Sequence, residues 1–292
     1  MVVRLNPDSQ EVMLGPNTAE PRILHTMILT RDLEESIRFY CEGLGMRALT
    51  DLIEADRSRL SVRFVGYEGA NAGGGMIELV HHWDNEEECQ HERGATHVAI
   101  GVPDADNVLA RLEEWGAGID RRGKAAFVTD PNGYELEIVQ TFRLPGGTDV
   151  IAGSVTMGPR TIIGPNDGKR RILHTMVRTC DLDASVRFYV DVLGMMVLTE
   201  RIQSPTFKLT ALFVGYKSAE EGGVMIELVE PWDNTEAQPH EKGVTHLAIG
   251  VADGEAMVAR LMDAGAEVEL RAGVPFARDP DGYQIEIIQS LR

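Results

Sequence analysis

The chain carries one long internal repeat, and the spacing of that repeat limits what it can fold into. Arg22-Ile23-Leu24-His25-Thr26-Met27 returns 149 residues later as Arg171-Ile172-Leu173-His174-Thr175-Met176. Asp130-Pro131-Asn132-Gly133-Tyr134 with Glu137 returns at the same offset as Asp279-Pro280-Asp281-Gly282-Tyr283 with Glu286. Glu78 and Glu227, and His97 and His246, keep that offset too. A period this long is a duplicated domain, not a solenoid. The repeat runs from Gly15-Pro16-Asn17, matched by Gly164-Pro165-Asn166, to Gln140, matched by Gln289. We place the first domain at 14–143 and the second at 170–292, joined by a linker at 144–169 rich in Gly, Pro and Thr.

Each half reads as strand, helix and strands, twice over. His25 to Leu29 is a short apolar run suited to a buried strand. Asp32 can cap a helix, with Glu35 three residues on and Leu33, Ile37, Tyr40 and Leu44 at helical spacing. Gly43 is the expected terminator. Strands are expected over Leu60–Tyr67 and Met76–Val80, then a strand over Thr96–Val102 and a helix from Ala105 to Trp115. Strands over Ala125–Thr129 and Tyr134–Gln140 flank a Pro-Asn-Gly turn, more a structural turn than a site. The second half repeats the order, with helices near Leu182–Val192 and Glu255–Ala264. Four such units in an α+β chain is the organisation to explain.

The net charge of −18 argues against nucleic acid or an anionic membrane as partner. Cys41, Cys89 and Cys180 form no C-x-x-C pair, so a disulfide framework is not expected and a reducing cytoplasm is. No apolar run approaches the ~18 residues of a membrane span, which points to a soluble protein.

Chemistry concentrates in four residue types per half. Glu137 lies in an apolar strand and points away from the face of Tyr134, Leu136 and Ile138. A carboxylate there is costly to bury unless it is paired or binds a metal. Glu78, between Ile77 and Leu79, raises the same difficulty, and His25 and His97 sit in equally apolar strands. Singly, such a His is more often a satisfied core residue and such a Glu a solvated one. Four on four strands, all repeated as His174, Glu227, His246 and Glu286, read as metal ligands. Two imidazoles with two carboxylates suit Ni, Co, Zn, Mn or Fe(II). His91 and His240 also repeat, but in polar loops, and read as surface or site-rim residues. His81 and His82 have no counterparts and receive no metal role.

The order R-I-L-H-T-M, D-L-x-x-S-[IV]-R-F-Y, L-G-M, F-V-G-Y, M-I-E-L-V, T-H-[VL]-A-I-G-V and D-P-[ND]-G-Y-x-[LI]-E-I resembles glyoxalase I (lactoylglutathione lyase) of the vicinal oxygen chelate superfamily. The resemblance covers both halves and implies four βαβββ modules in two glyoxalase-like domains. It implies that His25, Glu78, His97, Glu137, His174, Glu227, His246 and Glu286 are metal ligands, with Glu137 and Glu286 also moving the proton. The insertions of zinc-type members are missing, so the resemblance favours Ni²⁺ or Co²⁺ over Zn²⁺. The implied reaction moves a proton between adjacent carbons, with a Lewis-acidic metal holding both vicinal oxygens and stabilising the enediolate. The implied partner is a small molecule, glutathione adducts included, and the implied state is a monomer that is a pseudo-dimer in one chain, or a homodimer.

In single-domain relatives the site forms between two subunits, so the fused repeat is expected to cross its ligands. His25 and Glu78 would join His246 and Glu286, and His97 and Glu137 would join His174 and Glu227. The alternative closes each site within one half. The resemblance also expects an Arg four residues after the first His, to hold a glutathione carboxylate. Arg178 stands there in the second half and Leu29 in the first. An Asn expected after the first Glu is His82 or Pro231, and the loops Arg121-Arg122-Gly123-Lys124 and Arg271-Ala272-Gly273 are short. Another hydroxy-carbonyl substrate therefore stands beside the glutathione adduct. Rival readings are an extradiol ring-cleaving dioxygenase, which needs Fe(II) with two His and one carboxylate, and a binding or resistance protein without turnover.

Overall fold

Each main helix starts where an aspartate halts an extended segment. Asp32, Asp104, Asp181 and Asp253 keep extended backbone, and their carboxylates accept from the N–H groups of Glu35, Asn107, Ala184 and Ala256. These side-chain caps satisfy donors that the first helical turn cannot. The computed structural model describes residues 7–15, 20–84, 91, 95–122, 125–142, 160–233 and 245–290.

Four modules follow along the chain. Module one has the strand Arg22–Leu29, a helix over Leu33–Arg38 that continues as a π-helix over Phe39–Gly43, and the strands Arg47–Ala48, Leu60–Gly66 and Met76–His82. Module two has Thr96–Val102, the helix Ala105–Glu114, then Ile119–Arg122, Ala125–Thr129 and Glu135–Gln140. Module three has Arg171–Arg178, helical Leu182–Val186 and Arg187–Val192, then Met196–Val197, Leu209–Gly215 and Met225–Pro231. Module four has Thr245–Val251, the helix Gly254–Asp263, then Val268–Arg271, Val274–Arg278 and Gln284–Gln289. This is the α+β, four-module arrangement the sequence implied. In each module the lead strand carries the His and the last strand the Glu.

Gly43 is the last helical residue but not the left-handed terminator. It lies inside the π-turn closed by Leu44 N–H on the Phe39 carbonyl at 3.1 Å, and Gly45, at φ +76°, is the terminator. A Cβ on Gly43 would meet the Leu112 side chain at 3.0 Å, so the glycine lets the module-two helix approach.

The sheets do not follow the halves. One nine-stranded sheet joins module one to module four, and the other joins module three to module two. At each centre two lead strands pair antiparallel, with Met27 opposite His246 and Met176 opposite His97. Each lead strand also pairs parallel with the last strand of its own module, Met27 with Glu78 and Ala99 with Glu137 among the partners. The helix-side cores do follow the halves. Ile28, Tyr40, Leu44, Val98, Leu109 and Leu136 belong to one cluster, and Val177, Tyr189, Leu193, Leu247, Leu261 and Ile285 to the other. Each half thus packs its own helices together while lending one module to each sheet. That exchange ties the halves through continuous backbone pairing.

The Asp-Pro-x-Gly-Tyr turn is a structural hub. Asp130 accepts the Asn132 and Tyr134 N–H groups, both at 2.8 Å, and the buried Tyr40 hydroxyl at 3.0 Å. Asp279 does the same with Asp281, Tyr283 and Tyr189. Burial, helped by nearby Asp281, pushes the Asp279 carboxyl up to about 7 against an ordinary 3.8. The folded state therefore keeps a proton that the unfolded chain releases, and stability falls as pH rises from about 4 through 7. Asp279→Asn should match the parent in acid and exceed it by roughly 2–4 kcal/mol at pH 8. Thermal melts of both proteins across that range check the sign.

Cys41 and Cys180 are free, and Cys89 lies outside the described residues. No helix among the described residues is long and apolar enough to cross a membrane.

Candidate metal centres

Alternation along each lead strand decides which residues can meet. Ile28 and Val177 enter the helix-side cores, while Met27, Leu29 and Met176 face the opposite side of their sheets. The ligand candidates gather on that side, from two modules of different halves. His25 and Glu78 of module one meet His246 and Glu286 of module four. His25 Nε2 lies 3.2 Å from Glu78 Oε2 and 3.3 Å from Glu286 Oε2; His246 Nε2 lies 3.5 and 3.3 Å from the same two oxygens. In the other sheet His97 Nε2 is 3.6 Å from Glu137 and 3.7 Å from Glu227, and His174 Nε2 is 3.6 and 3.3 Å from them. All eight predicted positions therefore fall into two clusters of four side chains, each cluster crossed between the halves.

These residues fit a divalent cation by their hydrogen bonding as well as their number. The buried Nε2 atoms of His25, His97 and His174 have no hydrogen-bond partner, although carboxylate oxygens stand within 3.2–3.7 Å of each. Donors and acceptors are close without being aligned on one another, as expected of groups arranged around a shared ion. Buried polar atoms left so are rare and need a cause. Two neutral imidazoles and two carboxylates per cluster are ligands of the right hardness for first-row divalent metals.

Electrostatics agree. Burial opposes a charge on His25, but the carboxylate of Glu78, with that of Glu286, outweighs it and holds the imidazolium to about 9. Burial likewise opposes a charge on His174, and Glu137 and Glu227 raise it to about 9. Burial favours the neutral form of Glu78 and Glu137, yet the adjacent imidazoles pull both well below the usual carboxylate range. Without metal, protons on the histidines supply the positive charge that the carboxylates require; a divalent cation would replace them.

One feature of each centre had a sequence signal that was not used. Phe64, Phe127, Phe213 and Phe276 set their ring edges against His25, His97, His174 and His246 at 5.1–5.3 Å. Each lies directly opposite a ligand Glu on the neighbouring strand. They keep the 149-residue offset, which could have marked them. They fix each imidazole and keep its surroundings apolar.

The other sequence expectations resolve individually. Arg178 ends its lead strand on the face of Met176, in line with His174, and Leu29 occupies the matching place beside Met27, Val62 and Phe64. His91 packs edge-on against Tyr134 at 4.9 Å and meets the Leu29 carbonyl at 3.0 Å, so it is half-buried. His240 lies outside the described residues. His81 meets the Thr30 carbonyl through Nδ1 at 3.2 Å, and neither it nor His82 joins a cluster.

Comparison with known proteins places this arrangement. The chain is 27% identical to lactoylglutathione lyase of Schizosaccharomyces pombe over 92% of its length and 96% of that protein. It is 41% identical to a probable lactoylglutathione lyase of Vibrio parahaemolyticus, over 41% of this chain and 91% of that one, about the length of one half. Its fold matches crystalline glyoxalase I from Zea mays with a TM-score of 0.71 at 23% identity, covering 92% of each chain. The sequence profile of one family matches twice, at residues 22–138 and 171–287. The chain belongs to the Glyoxalase/Bleomycin resistance protein/Dioxygenase superfamily.

Proposed function

We propose that the chain is a metal-dependent isomerase/lyase of the glyoxalase I type, acting on a 2-oxoaldehyde–glutathione hemithioacetal or a related hydroxy-carbonyl compound. The observation that carries this is the pair of centres, each with two imidazoles and two carboxylates drawn from both halves. Full-length similarity to lactoylglutathione lyases supports the reaction class. His25, Glu78, His246 and Glu286 would hold one ion, and His97, Glu137, His174 and Glu227 the other. A divalent ion there supplies Lewis acidity to the two vicinal oxygens of the substrate. We assign Ni²⁺ or Co²⁺, from the ligand set and the absence of the zinc-type insertions.

The chain's own groups do the rest. Glu137 and Glu286 take the proton from one carbon and return it to the next, so the reaction needs a base but no oxidant. Phe64, Phe127, Phe213 and Phe276 wall the centres with apolar surface, which strengthens every charge interaction inside. Two carboxylates at each centre separate this reading from ring cleavage, which calls for one. Turnover of methylglyoxal, with and without glutathione, and of α-hydroxy-ketones on Ni²⁺- or Co²⁺-loaded protein tests it; no turnover of any would refute it.

The centres differ at their module-one and module-three rims, Leu29 against Arg178. A guanidinium can hold a carboxylate by two parallel charge-assisted bonds, and leucine cannot. Arg178→Leu should raise KM for an anionic substrate at the His97 centre about tenfold with little change in kcat, because a remote carboxylate is held equally in ground and transition states. Steady-state kinetics in a Glu286→Gln background, which silences the other centre, isolates that effect.

A further inference from the structure

The halves also differ at one position beside the catalytic glutamates. Glu135 and Gln284 match in the repeat, each two residues before Glu137 or Glu286 and hence on the same strand face. Each adjoins an arginine that ends the second strand of its module. Arg122 stacks on Phe127 with 4.4 Å between guanidinium carbon and ring centre, and Arg271 on Phe276 with 4.7 Å. Those are the rings that pack on His97 and His246. Each guanidinium therefore stands one ring away from a ligand of its centre.

In module two that arginine meets two carboxylates. Its Nε bonds Asp120 at 2.9 Å and its Nη2 bonds the buried carboxylate of Glu135. In module four Nε bonds Glu269, and Nη1 donates to Gln284 Oε1 at 3.0 Å. Arg271 Nη2 is buried with no partner, and so is Nε2 of Gln284, a side chain only 2% exposed. The bond to Oε1 fixes the amide orientation, since a flipped amide would turn N–H groups toward the guanidinium. Two buried donors, on groups already joined by one hydrogen bond, have no acceptor. Leaving such donors unfilled is costly.

We propose that Arg271 and Gln284 form a carboxylate-binding subsite of the His25 centre, which reads an anionic end of the substrate. This rests on the isomerase reading of that centre. The His25 centre lacks a cation on its module-one rim, where Leu29 stands, and carries this one on its module-four rim. The His97 centre has Arg178 on its module-three rim, and on its module-two rim Arg122 held by two carboxylates. The two centres hold anionic substrates from opposite sides, so they prefer differently placed carboxylates.

Calorimetric titration of the Ni²⁺-loaded full chain with S-methylglutathione, an unreactive dicarboxylate, tests this. Gln284→Glu, which copies the other half, and Arg271→Leu should each weaken one class of sites about tenfold or more and leave the other unchanged. Glu135→Gln should create the same donor pair at the His97 centre and tighten that class severalfold, a gain that misfolding cannot mimic. The dimethyl ester of the same ligand should bind the parent and the Gln284→Glu protein alike. Unchanged affinities in Gln284→Glu and Arg271→Leu, or no binding to the parent, would overturn the assignment. Binding needs no turnover, so a failed isomerase assay leaves this result standing on its own.

Discussion

Removing divalent metal should abolish turnover, by about 10³-fold or more, and Ni²⁺ or Co²⁺ should restore it better than Zn²⁺. The proton to be moved sits on carbon, and the charge it leaves behind must be stabilised by several kcal/mol for the rate to be useful. Among the described side chains, the two centres gather four imidazoles and four carboxylates, and carboxylates cannot stabilise a developing anion unaided. Metal-free protein should remain folded, because protonated His25 and His174 then offset part of the charge of their carboxylates. Chelation should therefore cost activity with little change in far-ultraviolet dichroism. Acid should have the same effect, since protonation of the histidines competes with the metal. Activity after dialysis against chelator, then after each metal, reads this directly. Full activity in metal-free protein would end the metal-dependent reading.

The crossed arrangement has consequences as large. His25→Ala with His246→Ala damages one centre only and should leave the turnover of the His97 centre. His25→Ala with His97→Ala damages both, although both changes lie in one half, and should abolish turnover. The reason is topological: each sheet takes one module from each half, so the two candidate histidines of one half never share a sheet. Loss of a buried ligand also leaves its neighbours' charges uncompensated, so the damaged centre should fail completely.

Much of this was legible in the chain. The 149-residue offset exposed the eight candidate ligand positions, and strand alternation placed Glu137 away from the helix side. The Asp32 cap stood where its spacing to Glu35 put it, and most strands fell where apolar periodicity put them. The π-turns at Phe39–Gly43 and Arg187–Val192 did not, because the same apolar spacing serves an α-helix and a π-turn alike. Crossing came from family resemblance; no residue pattern within one half says which partner its strand edge will choose. The Arg271–Gln284 pair was missed because a Glu-to-Gln difference between halves means little until both unpaired donors are seen buried.

Metal content by mass spectrometry on the two double variants tests the central claim most directly. The parent should carry two ions per chain. His25→Ala with His246→Ala should carry one, and His25→Ala with His97→Ala none. One ion in the second variant and none in the first would show that each centre closes within one half, and would contradict the crossed assembly.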